Sequence, residues 1–138
     1  MAYWLFKTEP SAWSWEQQKK KGAKGEAWSG VRNHQAANNM KAMVKGDLGF
    51  FYHSVDEKRI VGIVKVSGLY RPDPTDETGK FGLVEGKAVR DLPKPVTLAE
   101  IKAAPKLAEM VLVKNSRLSV QPVSPAEWQI ISAMGGLK

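Results

Sequence analysis

Two neighbouring apolar runs constrain the fold of this chain most, because they can pair with each other over a short connection. Residues 48–54 and 60–69 are both rich in aromatic or β-branched side chains, which are typical of strands. Between them, residues 56–59 are Asp-Glu-Lys-Arg, which is typical of a polar turn. The sequence therefore predicts an antiparallel hairpin at the centre of the fold.

Further strand and helix signals surround this hairpin. Strands are predicted for residues 3–8, which Glu9 and Pro10 terminate, and for residues 81–92, 110–113 and 118–120. A helix that Asn33 caps is predicted to stop at Gly46. Three further helix starts have a Ser or Thr followed three residues later by Gln or Glu: Ser14 with Gln17, Thr97 with Glu100, and Ser124 with Glu127. The fold class is therefore α+β, with a small, mixed and closed sheet and helices at its rim.

Composition limits the class of protein. The 138 residues suffice for one domain, so we predict a single domain over residues 1–138. The absence of cysteine excludes disulfides and thiolate zinc sites and fits a reducing cytoplasm. The apolar run near the N-terminus is too short for a signal peptide or a membrane span. His34 and His53 lack metal-ligand spacing, and no glycine-rich phosphate loop or Ser-His-Asp set occurs, so we expect no metal and no cofactor.

The balance of charges favours a polyanionic partner. Twenty-one basic residues against fourteen acidic ones give a net charge of +7. Lys19, Lys20, Lys21 and Lys24 form the densest basic cluster and are candidates for contacts with a nucleic-acid backbone. The alternative is a solvated helix end, where cations are favoured near the last carbonyl groups.

The segment 28–33 combines the groups that a flat polar ligand needs. The indole of Trp28 offers a stacking face, Ser29 a hydroxyl group, and Gly30 a turn that lets the backbone approach closely. Arg32 and Asn33 add directional hydrogen bonds, as recognition of a nucleobase edge requires. The alternative is a buried tryptophan beside a helix N-terminus.

Two other places offer polar groups for a pocket. Lys7 and Glu9 are two positions apart on a predicted strand, so they share one face and Thr8 lies on the other. They are either a binding or acid–base pair or an ordinary surface ion pair. His53 and Ser54 follow the aromatic run 50–52 at a strand end, where a pocket mouth is expected.

Several long blocks, in order, resemble the EVE domain family. They are Tyr-Trp-Leu-Phe-Lys-Thr-Glu-Pro at residues 3–10, Trp-Ser-Gly-Val-Arg-Asn at 28–33, Gly-Asp at 46–47 leading into 50–54, and Arg-Leu-Ser-Val-Gln-Pro-Val at 117–123. The likeness extends from residue 3 to about residue 131. It implies a PUA-like fold, a small mixed β-barrel with peripheral helices, related to the YTH domains that hold a methylated adenine in an aromatic cage.

The resemblance further implies a reader of modified nucleobases, with modified cytosine as the usual suggestion for the family. It places Trp28 at the stacking position and Ser29 beside the base edge. Lys7, Thr8 and Glu9 match the strand that lines the opposite wall. His34, Ala37, Arg71 and Phe81 depart from the family pattern. The residues expected around the base are Lys7, Thr8, Glu9, Trp28, Ser29, Gly30, Val31, Arg32, Asn33, His53, Ser54, Arg71, Pro72 and Asp73.

Three functions thus remain open: a base-binding module, an enzyme, and an interaction module whose pocket binds a small carboxylate or nucleotide. The first is a non-catalytic, cytoplasmic, monomeric module that binds a modified base in DNA or RNA, without membrane contact. The second is an amidohydrolase like those of the related ASCH proteins, in which Lys7, Thr8 and Glu9 act on a modified nucleoside.

Overall fold

The computed structural model describes residues 2–115 and 117–137, and its framework is one mixed sheet. Within these ranges the strands are β1 (Tyr3–Thr8), β2 (Glu26–Ala27), β3 (Leu48–His53), β4 (Arg59–Pro72), β5 (Gly82–Thr97) and β6 (Val120–Val123). The helices are α1 (Trp15–Lys20), α2 (His34–Lys41), α3 (Leu98–Ala103), α4 (Val111–Lys114) and α5 (Pro125–Met134). Single 3₁₀ turns occur at Gly22–Lys24 and Pro105–Leu107.

The strand order is β2-β5-β4-β3-β1-β6, with β1 parallel to β3 and the other neighbours antiparallel. The predicted central hairpin is confirmed as β3 and β4. The prediction of a closed barrel is wrong, because β2 and β6 are the outer strands and no pairing joins them in the described ranges. Strands of two and four residues at opposite edges offer too few backbone groups to close a sheet.

Local helix signals are confirmed by the structure. The side chains of Ser14, Thr97 and Ser124 each accept a hydrogen bond from the backbone N–H three residues later, and the predicted capping boxes are complete. Asn33 caps α2 through the backbone N–H of Ala36. Helix α2 ends at Lys41, earlier than predicted, and Gly46 instead lies in the turn before β3 with a positive φ of 96°.

The strand predicted at residues 110–113 is a short helix. The backbone N–H groups of Val113 and Lys114 both donate to the carbonyl oxygen of Met110, which fixes helical turns. Met110 and Leu112 are buried, so the run is apolar because it packs into the core. A run of four apolar residues has too little periodicity to separate a strand from a buried helix. The strand predicted at 118–120 starts later, at Val120, and β5 continues to Thr97.

The sheet separates two apolar clusters. One contains Leu5, Phe50 and Trp128 with residues of α3, α4 and α5, and we call this side the sealed face. The other contains Phe6 and Phe51 with residues of α1 and α2, and we call it the cavity face. Alternation along β1 sends Leu5 to the sealed face and Phe6 to the cavity face.

Candidate nucleobase-binding site

A cavity of about 420 Å³ opens on the cavity face at the end of β1. This volume is within the usual range of small-ligand pockets. Its wall is built from the end of β1, the turn that follows, β2, the loop before α2, and the segment before β6. The residues that line it are Lys7, Thr8, Ala12, Trp13, Glu26, Ala27, Trp28, Ser29, Gly30, Val31, Arg32 and Ser119.

Trp28 borders this cavity and is anchored from behind. Its backbone N–H donates to the carbonyl oxygen of Val84 at 2.7 Å, which ties the start of the loop to β5. The half-buried indole contacts Phe6 at 5.2 Å between ring centroids and Phe51 at 5.7 Å, with interplanar angles of 63° and 89°. Neither phenyl ring is parallel to the indole. Neither Phe6 nor Phe51 therefore occupies a parallel stacking position on it.

The loop 28–33 is held by the carboxylate of Asp73. This buried group accepts hydrogen bonds from the backbone N–H of Gly30 at 2.8 Å and from Nη1 of Arg32 at 3.1 Å. Its other oxygen accepts bonds from the backbone and hydroxyl of Thr75 at 2.8 and 2.7 Å. Burial opposes ionisation, but these hydrogen bonds together outweigh it and lower the pKa of Asp73 to about 2. Gly30 has a φ of 81°, so the loop requires a residue that tolerates the left-handed region.

β1 supplies the opposite wall. The backbone N–H of Lys7 donates to the carbonyl oxygen of Ser119 at 2.8 Å, and its ammonium group lies 5.7 Å from the ring centroid of Tyr52. Burial lowers the pKa of Lys7 below its usual range. The hydroxyl of Thr8 donates to the carbonyl oxygen of Trp13 at 3.1 Å, which fixes the turn after the strand.

The alternation of faces along a strand does not predict which residues of segment 7–9 border the cavity. β1 ends at Thr8, so Glu9 lies in the following turn rather than on the strand face of Lys7. Its carbonyl oxygen accepts the backbone N–H groups of Ala12 and Trp13, and its exposed side chain is not part of the lining. Lys7 and Thr8, which were expected on opposite faces, both border the cavity because it opens at the strand end.

Other predicted residues lie beside the cavity rather than in its lining. The ring of His53 is buried, where Nε2 accepts the backbone N–H of Trp15 at 3.0 Å and Nδ1 lies 2.8 Å from Glu57. This hydrogen bond with His53 lowers the pKa of Glu57, and Arg59 adds to the effect. The backbone N–H of Ser54 donates to Thr8 at 2.8 Å.

The remaining predicted residues have structural contacts. Asn33 caps α2, and Asp73 supports the loop from behind. Arg71 forms an ion pair with Glu85 at 3.3 Å, and the exposed Pro72 ends β4. Their role around a base stays a prediction.

The basic cluster lies at the end of α1 and in the 3₁₀ turn that follows, and its contact with a nucleic-acid backbone stays a prediction. Lys19 and Lys20 are in the last turn of α1. Lys19 forms ion pairs with Glu16 at 3.1 Å and Asp91 at 3.0 Å, whereas Lys20 and Lys24 are exposed. The pKa of Lys19 is raised, first by its hydrogen bond to Asp91 and then by that to Glu16.

Five lining residues were absent from the sequence prediction: Ala12, Trp13, Glu26, Ala27 and Ser119. Two of them bring functional groups to the cavity. Trp13 brings a second indole to the cavity, and its Nε1 donates to Gln18 at 2.9 Å. Glu26 brings a carboxylate, which forms an ion pair with Lys21 at 3.4 Å. Both flank predicted segments in the sequence, but only the turn after β1 and the pairing of β2 with β5 bring them to the cavity.

Within residues 2–115 and 117–137, no helix is long and apolar enough to cross a membrane. In the same ranges, no group of three or more His, Asp or Glu side chains is arranged to hold a metal ion.

The chain is similar to known proteins over almost its whole length. Thymocyte nuclear protein 1 of Gallus gallus is 32% identical over 164 aligned positions, covering 96% of this chain and 68% of that protein. A crystal structure of a protein from Agrobacterium tumefaciens has 54% identity and a TM-score of 0.96, covering 99% of this chain and 94% of that one. Human THYN1, crystallised in complex with DNA that contains 5-methylcytosine, has 29% identity and a TM-score of 0.92, covering 100% and 99%.

These likenesses confirm the α+β class and the PUA-like fold, with the sheet open rather than closed. The family model described as the EVE domain matches residues 2–134. The chain belongs to the EVE domain family.

Proposed function

We propose that this chain is a non-catalytic module that binds a modified nucleobase, most specifically a modified cytosine in DNA or RNA, in the cavity beside Trp28. The observation that carries the proposal is the cavity of about 420 Å³, whose lining includes Trp28, Lys7 and Thr8 together with the loop that follows Trp28. The complex of human THYN1 with DNA that contains 5-methylcytosine supports this choice of ligand.

Stacking on an indole does not by itself supply the binding free energy that the site needs. A base that enters the cavity must leave its own stack, which costs a few kcal/mol. Stacking on an aromatic side chain returns about 1–3 kcal/mol. Hydrogen bonds to the base edge and contacts with phosphates therefore have to supply the remaining affinity, and the net charge of +7 favours the latter.

The lining offers aromatic rings for stacking and polar groups for hydrogen bonds to a base. Trp28 and Trp13 present two indoles, of which Trp28 has no parallel ring partner among the described residues. The amine of Lys7 and the hydroxyl of Thr8 supply polar groups on the facing wall. Asp73 keeps the loop in place before any ligand arrives, which reduces the entropy lost on binding.

A binding screen tests the proposal. Labelled oligonucleotides of one sequence, as single- and double-stranded DNA and as RNA, carry either an unmodified or a modified cytosine at one position. We expect the modified base to bind several-fold more tightly in fluorescence anisotropy titrations. Trp28→Ala should remove this preference but retain most salt-sensitive binding, and Trp28→Phe should keep part of it. Equal binding of all oligonucleotides by the wild-type protein would contradict the proposal.

One observation favours the hydrolase as a second candidate. Lys7 and Thr8 line the cavity together, and Glu26 supplies the carboxylate that Glu9, outside the lining, does not. Incubation of the protein with an acylated cytidine, followed by chromatography for cytidine and the free acid, separates the two functions. Turnover that Thr8→Ala abolishes would replace the binding proposal, whereas the binding proposal expects no product.

A further inference from the structure

We infer that Glu26 accepts a hydrogen bond from the exocyclic amine of the bound base, so that the cavity selects amine-bearing bases over thymine and uracil. This inference rests on the proposed function and specifies which chemical feature of the ligand the site recognises. Glu26 belongs to the same cavity lining as Trp28, which is two positions further along the chain.

The backbone of Glu26 is held in place by its neighbours. It is the first residue of β2 and pairs with Gly86 of β5. Gly25, directly before it, has a φ of 68°, and a Cβ atom there would lie 2.9 Å from the carbonyl oxygen of Gly86. The chain therefore approaches β5 so closely that only glycine fits before Glu26. This close approach fixes the backbone position from which the Glu26 side chain extends.

The charged groups of the lining differ in their remaining capacity for hydrogen bonds. Arg32 is engaged with Asp73 and Thr75. Glu26 has a side chain that is 32% exposed, and Lys21 contacts one oxygen at 3.4 Å. A carboxylate accepts several hydrogen bonds and donates none when ionised, so its remaining capacity is for a donor on the ligand.

The bases differ in whether they present such a donor. Cytosine, adenine and guanine carry an exocyclic amine, and acceptance from the cytosine amine is the usual contact of Glu or Asp with a base. Thymine and uracil carry a carbonyl oxygen at the position of the cytosine amine. A carboxylate facing that oxygen has no hydrogen bond and meets a repulsive partial charge. Their single ring N–H lies between two carbonyl oxygens, which weakens any contact with a carboxylate there.

5-Methylcytosine and thymine form a matched pair of ligands for this question. They share the ring and the methyl group, so stacking and fit are similar, and they differ in the amine against the carbonyl oxygen and in the adjoining ring nitrogen. We expect wild-type protein to bind a single-stranded oligonucleotide with 5-methylcytosine about tenfold more tightly than the same oligonucleotide with thymine. Glu26→Gln should reduce this ratio towards one, because an amide both donates and accepts.

Glu85→Gln is the control variant. Glu85 has nearly the same side-chain exposure, 29%, lies opposite Ala27 in the strand register, and is ion-paired with Arg71 outside the lining. Glu85→Gln removes the same charge as Glu26→Gln. Because Glu85 lies outside the cavity lining, this variant should leave the ratio at the wild-type value. Thermal unfolding of both variants confirms that they are folded to the same extent.

The outcomes separate this inference from the proposed function. If the wild-type protein prefers modified cytosine and Glu26→Gln leaves the ratio unchanged, Glu26 does not have this role. The binding function would still stand. An equal fall of the ratio in Glu85→Gln would also overturn the role of Glu26, since general charge would then explain the effect. Wild-type binding that ignores both the modification and the thymine exchange would contradict the proposed function itself.

Discussion

The two faces of the sheet each use a tryptophan, and they use it differently. On the sealed face, Trp128 is 8% exposed and stacks on Tyr3 at 4.4 Å and on Phe50 at 4.0 Å, with interplanar angles of 17° and 18°. On the cavity face, the half-buried Trp28 has tilted or perpendicular ring neighbours and borders open volume. The indole of Trp128 is thus saturated by protein contacts, whereas that of Trp28 is left able to stack on a ligand.

The two faces show how one small sheet combines a packed core with an open cavity. The sealed face is held by apolar packing under α3, α4 and α5. On the cavity face, the wall is a polar loop that one buried carboxylate, Asp73, holds by hydrogen bonds. Packing energy is non-directional, but hydrogen bonds fix a loop in one geometry without filling the space in front of it.

The largest expected effect comes from truncating each tryptophan to alanine. Trp128→Ala should lower the free energy of unfolding by about 3–5 kcal/mol, because it leaves a cavity between two stacked partners. Trp28→Ala should lower it by about 1–3 kcal/mol, since less of its area is buried. Urea unfolding followed by circular dichroism measures both. Equal losses would contradict the different roles of the two tryptophans and identify Trp28 as an ordinary core residue.

A smaller effect is expected at Asp73. A carboxyl group whose pKa is lower in the folded than in the unfolded protein stabilises the fold above its unfolded pKa, and this contribution is lost as pH falls through the folded value. With a pKa of about 2 when folded and about 4 when unfolded, Asp73 contributes about 2 kcal/mol that should disappear between pH 4 and pH 2. Asp73→Asn should lack this part of the pH dependence in urea unfolding.

Asp76→Asn is the matched control for the effect of Asp73 on ligand binding. Asp76 lies in the same loop and accepts bonds from Thr78 and from the backbone of Phe81, but none from residues 30 or 32. Only Asp73→Asn should weaken binding of the modified base, because only Asp73 holds the loop beside Trp28. If both variants weaken binding equally, general loosening of this loop accounts for the result.

The sequence predicted what local interactions decide. Helix starts at Ser14, Thr97 and Ser124 were predicted because each cap is formed by residues three apart. The closed sheet was predicted wrongly because closure depends on the lengths of distant edge strands such as β2, which has two residues. Residues 110–113 were misassigned because burial, rather than strand pairing, explains their apolar character.

The same limit applies to the site. The cavity lining at Trp28 and its loop was predicted because the candidate binding groups are contiguous in the sequence. Trp13 and Glu26 were missed because their positions depend on the fold: a turn returns Trp13 to the end of β1, and β2 pairs with β5 at Gly86. A sequence signal existed for Glu26, since a lone carboxylate precedes Trp28 by two positions. Alternation alone does not give the face of a two-residue strand.

The smallest expected effect concerns the lysines beside the cavity face. Lys20 and Lys24 are exposed, whereas Lys19 and Lys21 form ion pairs with carboxylates. If Lys20 and Lys24 each contact a phosphate, their double alanine variant should flatten the plot of log binding constant against log salt by up to about 2 for duplex DNA. The Lys19 and Lys21 double alanine variant removes the same charge but should change the slope less, because these ammonium groups must leave a carboxylate to reach a phosphate. Anisotropy titrations at several salt concentrations give both slopes. An equal change in the two variants would show that net charge, rather than contact by the exposed lysines, guides nucleic acid to the cavity face.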